Sequence, residues 1–171
     1  MYRNSSFLDY DCRKILCSSL IQPYLDYCST TWYSSISKLL QNRLDIVQRR
    51  MVRFVLSKEP RYHVSREDMR GLSWLSISER VKFFKLTQVF KIRLGTAPAY
   101  LSGNFKPLSL SHTHNTRRSS RDYFISKELA KCPGSFAFTA IKHWNDLPHD
   151  LKHIRSYGAF KSRLKKHLLT A

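Results

Sequence analysis

A mainly α-helical fold, in which a small helical bundle is followed by a second small helical subdomain, is what this sequence predicts. Three observations carry that reading. Apolar residues recur at helical spacing along most of the chain, most clearly as Leu40, Leu44, Val47, Met51 and Val55, which step by four, three, four and four. Helix start and stop residues punctuate the pattern, with Ser76, Ser135 and Ser156 at starts and Gly95 and Pro148 at ends. Between two such regions lies SGNFKPLSLSHTHNTRRSS, residues 102–120, which is polar, serine-rich and without period. The predicted organisation is therefore a helical domain over 1–101, a linker over 102–120 and a basic helical subdomain over 121–171.

The elements follow in order. Ile15, Leu16, Leu20 and Ile21 place a helix over Asp9 to Gln22, ended or kinked at Pro23. Lys38 to Leu56 is the clearest helix, with its arginines on the flanks and the face opposite the stripe. Pro60 breaks that pattern, and a short helix is expected within Tyr62 to Arg70. Ser76 and Glu79 form an S-x-x-E capping box before Val81 to Leu94, whose apolar residues lie on more than one side and so suit the centre of a core. Gly95 supplies a left-handed cap, and Pro98 cannot continue the helix. After the linker, TRRSSRDYFIS alternates in polarity and suggests a short strand or hairpin. Ser135 caps a helix lined by Phe136, Ala140 and Trp144, which Asn145 and Pro148 end; one or two helical turns follow over Leu147 to Ile154. In the last helix Phe160, Leu164 and Leu168 make a narrow apolar stripe under Lys161, Arg163, Lys165, Lys166 and His167.

Composition narrows the function. A chain of 171 residues, 42% hydrophobic and 13% aromatic, has material for a core. Thirty Lys+Arg against twelve Asp+Glu give +18 at neutral pH, a self-repulsion that a polyanionic partner relieves. Nucleic acid is the expected partner, since neutralising phosphates releases condensed counterions. An acidic membrane surface is the rival, but no stretch approaches the roughly 20 apolar residues of a spanning helix. MYRNSSFLDYDCRK has no apolar signal-peptide core, so an intracellular setting, nuclear or cytoplasmic, is expected.

Enzyme chemistry is not expected. Cys12, Cys17, Cys28 and Cys132 match no zinc spacing and read as buried free thiols, and the histidines are scattered, so neither a metal nor a cofactor is anticipated. There is no phosphate loop, no H-E-x-x-H, no G-x-S-x-G and no carboxylate pair set to hold two metal ions. No small-molecule substrate is implied. The candidate contacts to phosphate are Arg43, Arg49, Arg50 and Arg53 of the long helix, Arg117, Arg118 and Arg121 beside the linker, and Lys161, Arg163, Lys165 and Lys166 of the tail. Trp32, Trp74 and Trp144 sit among apolar neighbours and are expected in the core rather than stacked on bases.

The order of motifs resembles the C-terminal part of a non-LTR retrotransposon (LINE, jockey-like) reverse transcriptase. LCSSLIQPYLDYCSTTWY is similar to that family's L-x-x-S-L-I-x-P-x-L-x-Y-x-x-x-x-W segment, and RLDIVQRRMVRFVL to its L-x-x-x-Q-x-R-x-x-R-x-I helix. LSWLSISERVKFFKLTQVFKIRLGTAPAYL resembles the helix with the L-A-P-x-Y-L exit, and HNTRRSS the N-T-R linker. HWNDLPHDLKHIRSYGAFKSRLKKHL is similar to the terminal W-N-x-L-P and F-K-x-x-L-K-x-x-L segment. The resemblance implies a thumb-like domain and a C-terminal segment that grip RNA, DNA or a hybrid of the two. The aromatic-x-Asp-Asp motif of the palm is absent, as are the palm and fingers around it and the endonuclease domain of such elements, so a non-catalytic fragment is implied. Two alternatives stay open: a decayed reading frame without selected function, and a protein-interaction module that docks on an intact reverse transcriptase.

Overall fold

The computed structural model describes residues 7–110 and 122–170. Helices make up nearly all of its regular structure, as the periodicity requires. The chain divides into two compact units, one built from Met1–Ser29 and Ile36–Val81, the other from Thr30–Ser35 and Lys82–Ala171. The segment read as a linker falls within the range of the second unit, and its residues 111–120 lie outside the described residues, as do Arg117, Arg118 and Arg121.

The first unit begins with α1 (Tyr10–Leu16), whose Asp9 cap accepts from the Cys12 amide at 2.7 Å. A π-helical turn, Cys17–Ile21, carries the chain into α2 (Gln22–Asp26), with Pro23 at its beginning, where the widened turn before it accommodates a residue without an N–H. The proline expected to end or kink the helix does not end it: helical structure runs through Pro23 to Asp26, with the π segment just before the proline. α3 (Ser29–Trp32) starts at the last residue of the Met1–Ser29 stretch and belongs for the rest to the second unit; the first unit resumes with α4 (Lys38–Val55), capped by Ser37, then α5 (Arg66–Gly71), which starts in a reciprocal capping box of Ser65 and Asp68. The Ser65 backbone N–H donates to the Asp68 carboxylate at 2.8 Å and lowers its pKa. The core here comprises Cys17, Met51, Val52, Phe54, Val55, Val64, Leu72 and Trp74. Buried Gln48 ties α4 to the turn before the next helix: its amide donates to the Leu75 carbonyl at 2.7 Å, and its oxygen accepts from Ile77 N at 3.1 Å.

The predicted stripe of α4 needs a correction. Met51 and Val55 are buried, but Leu40 and Val47 are exposed, and Gln48 and Val52 take the inward positions instead. The fully buried residues of the helix all lie from Gln48 onward, Leu44 is half-buried, and Leu39, Leu40, Ile46 and Val47 before them are exposed to solvent.

α6 (Ile77–Arg93) starts at the predicted box, with Ser76 N donating to Glu79 at 2.9 Å and Glu79 N to Ser76 at 3.3 Å. Ile77 and Val81 are buried at its start, and Leu86, Val89 and Phe90 further along, which is why its apolar residues cover several sides. It ends as predicted at Gly95, φ +70°, with Gly95 N bonded to Ile92 O and Thr96 N to Lys91 O, both at 3.0 Å. The same double bond ends α4 at Ser57 and α5 at Ser73, although both serines carry positive φ, 52° and 57°. Exchanging either for glycine removes a left-handed Cβ and is expected to raise stability by about 0.5–1 kcal/mol. A higher urea midpoint at unchanged slope would register it; a lower midpoint would contradict it.

The second unit continues with α7 (Ala99–Ser102), a 3-10 turn (Leu108–Leu110), α8 (Lys127–Ala130), α9 (Phe136–Asn145), α10 (His149–Lys152) and α11 (Tyr157–Thr170). Ser135 caps α9 as expected, accepting from Phe138 N. Phe90, Trp144 and Phe160 form the aromatic centre, with Phe90 and Phe160 stacked at 4.2 Å. Phe105, from the segment read as linker, is buried edge-on against Tyr123 at 5.5 Å. The expected strand is reduced, among the described residues, to an isolated antiparallel bridge between Pro107 and Tyr123. The reason is chemical: Pro107 has no N–H for a ladder, and the Asn145 carboxamide takes both backbone groups of Tyr123, at 3.0 and 2.9 Å.

One buried cation in this unit is held, among the described residues, by hydroxyls rather than by a carboxylate. Lys85 is fully buried, with its ammonium donating to Ser34 Oγ and Thr139 Oγ1, each at 2.6 Å, and burial lowers its pKa to about 8. Below pH 8 the lysine is charged folded and unfolded, and the folded state bears the desolvation. From about 8 to 10.5 the unfolded chain holds a proton that the folded chain has lost, so stability rises with pH. Lys85→Met is expected to stabilise by about 1–3 kcal/mol at neutral pH, with the gain shrinking across that window. Urea unfolding of both proteins at pH 7 and pH 10 checks it; a difference independent of pH would contradict it.

Candidate nucleic-acid interface

The predicted cations among the described residues are placed by the elements that carry them, α4 and α11; Arg117, Arg118 and Arg121 lie outside those residues. On α4, Arg43 and Arg50 are exposed and seven residues apart, hence on one face of the helix. Arg49 and Arg53 are half-buried and otherwise engaged. Arg49 Nε donates to the Asp45 carbonyl at 3.4 Å, and Arg53 Nε to the Tyr62 carbonyl at 2.7 Å. Burial raises the Asp45 pKa, against the pull of Arg49 and Lys38. Arg53 thus braces the chain after α4, a role its position in the sequence does not disclose.

α11 matches the pattern read from its sequence. Phe160, Leu164 and Leu168 are buried, while Lys161, Arg163, Lys165 and Lys166 are all exposed. The helix is anchored by one narrow face and is basic over much of the rest.

What holds α11 in place is the corner before it. Trp144 is fully buried, with Phe160 at 5.9 Å, Tyr123 at 6.1 Å and Phe90 at 6.5 Å between ring centres. The Arg93 guanidinium lies 6.0 Å from the Trp144 ring centre and donates to the Lys152 carbonyl. Buried Lys152 pairs with buried Asp122 at 2.7 Å and donates to the Asn145 carbonyl at 2.8 Å. Leu147 is buried behind this network, and Pro148 leads into α10. Trp74 is likewise in the core, whereas Trp32 is half-buried and tilted on Tyr33 at 6.0 Å.

Nearby lysines act, after burial, on one titratable side chain of the second unit. The His143 pKa falls to about 4, first through burial and then through the charges of Lys82 and Lys85, with Lys142 adding to them and Asp146 opposing. Sequence reasoning missed Lys82 and Lys142, because isolated lysines within helices carry no motif.

The chemistry of the remaining polar groups is plain. Among the described residues no group of three or more His, Cys, Asp or Glu could hold a metal ion, and no helix is long and apolar enough to cross a membrane. None of the four cysteines is in a disulfide among the described residues, and of the four only Cys17 is buried, its thiol pushed up to about 11 by burial. Cys12, Cys28 and Cys132 are exposed, contrary to the expectation of buried thiols. No family model matches the chain, and no curated protein or solved structure matches it either.

Proposed function

We propose that this chain is a non-catalytic, nucleic-acid-binding piece of a retrotransposon-type reverse transcriptase of the non-LTR, jockey-like kind, holding the backbone of RNA, DNA or a hybrid in an intracellular setting. The observation that carries the reading is α11: four cations exposed together on a helix locked down by three buried apolar residues, in a chain of net charge +18. Phosphate oxygens are the complement of such a face, with Arg163 supplying a fork and the lysines point charges. Arg43 and Arg50 of α4 extend the same chemistry to the first unit. The polymerase carboxylates of the family are absent from the sequence, so the reading assigns no catalysis to this piece. Changing Lys161, Arg163, Lys165 and Lys166 together to Ala is expected to weaken binding of a labelled RNA–DNA hybrid at least tenfold and to flatten its salt dependence. Unchanged anisotropy titrations with a folded variant would remove α11 from the interface.

A second reading rests on a different observation. Leu39, Leu40, Ile46 and Val47 of α4 are exposed, as are Phe7, Tyr24 and Tyr27 of the same unit, and exposed apolar side chains of this size are the material of interaction surfaces. Docking of this unit on an intact reverse transcriptase would cover it. Co-purification after nuclease treatment, lost in Leu39→Glu with Ile46→Glu, separates the two readings.

A further inference from the structure

Beside the first turn of α11 lies an open groove of ≈ 430 Å³, lined by Phe83, Tyr157, Gly158, Lys161, Ser162 and Lys165, all within the second unit. Its volume sits within the roughly 300–1,000 Å³ of small-ligand sites, enough for a nucleotide and too little for a duplex. Phe83 and Tyr157 are partly exposed aromatic rings, and Lys161 and Lys165 are exposed cations one helical turn apart. Two ammonium groups approach the Tyr157 ring, that of Lys91 at 5.3 Å and that of Lys161 at 5.8 Å from its centre. Gly158 lies on the lining of the groove, and a Cβ added there would meet nothing within 4 Å, so a larger side chain can be placed there without a clash.

We propose that this groove is a binding site for unpaired nucleotides of single-stranded nucleic acid, with a base on the Phe83–Tyr157 floor and the flanking phosphates on Lys161 and Lys165. The inference rests on the nucleic-acid reading above and adds a mode of recognition to it. A ligand that alternates flat aromatic rings with anionic groups matches aromatic rings bordered by ammonium groups. An acidic peptide offers the charge without the rings. A duplex offers phosphates but keeps its bases stacked internally, so it uses the cations and leaves the floor empty. Ser162 is at hand as a hydroxyl donor or acceptor to the base edge or sugar.

The test compares an oligouridylate, a blunt RNA–DNA hybrid and a polyglutamate peptide as ligands for the full chain. Phe83→Ala removes the floor, and Gly158→Leu fills the groove while favouring the helix. Both variants are expected to lose about tenfold in affinity for oligouridylate and to keep their affinity for the hybrid within about twofold. If both variants bind oligouridylate like the parent while Lys161→Ala with Lys165→Ala weakens both nucleic acids, the groove is overturned and the phosphate reading stands. If the parent protein binds neither nucleic acid, the phosphate reading fails and the groove falls with it. Binding of polyglutamate more tightly than oligouridylate, abolished by Gly158→Leu, overturns the proposal in favour of a protein partner.

Discussion

Asp122→Ala is expected to destabilise the second unit by about 3–5 kcal/mol, enough to unfold it at physiological temperature. The carboxylate and the Lys152 ammonium are each 3% exposed and 2.7 Å apart, so removing one leaves a buried charge whose remaining acceptor is the Asn145 carbonyl. Asp122→Leu combined with Lys152→Met removes both charges and is expected to recover most of the loss, because breaking a buried pair costs more than omitting it. Amide exchange in α9 and α11, compared between the single and double variants, reads the effect in this unit alone. A single variant within about 1 kcal/mol of the parent would show that the pair holds nothing together.

Trp144→Ala is the second large effect, at about 3–5 kcal/mol. The indole is fully buried among Phe90, Tyr123 and Phe160, and the stacked Phe90–Phe160 pair and the clamped Tyr123 limit collapse of the cavity left behind. Because Asn145 pins Tyr123, Trp144→Ala and Asn145→Ala are expected to couple rather than add. Trp144→Phe keeps a ring and is expected to cost less than half as much. Urea unfolding followed by circular dichroism measures all three, and additivity of the first two would contradict a shared corner.

How much of this was legible in the sequence depends on the range of the interaction. Caps at Ser76, Ser135 and Gly95 were readable because they are local, set by side chains within a few residues of the backbone groups they satisfy. The stripe of α11 was readable because one face of a single helix meets one core. In α4 the same reasoning misplaced Leu40 and Val47, since periodicity marks an apolar face without saying how far along the helix a partner covers it. Phe105 was hidden in a polar stretch, and the Asn145–Tyr123 clamp and the Asp122–Lys152 pair join residues 22 and 30 positions apart. Such contacts are decided by tertiary packing, which propensity does not encode. The candidate interface shows the same divide: the tail cations stand exposed where the pattern put them, while Arg53 is held by a carbonyl that only the fold brings near.

That this chain holds nucleic acid through its phosphates is the central claim, and the salt dependence of hybrid binding tests it most directly. With circular dichroism confirming a helical fold, the association constant of a fluorescent RNA–DNA hybrid should fall along a straight line in log–log coordinates, by orders of magnitude between low and physiological salt. A folded protein that ignores the hybrid, or binds it with an affinity insensitive to salt, would contradict the account.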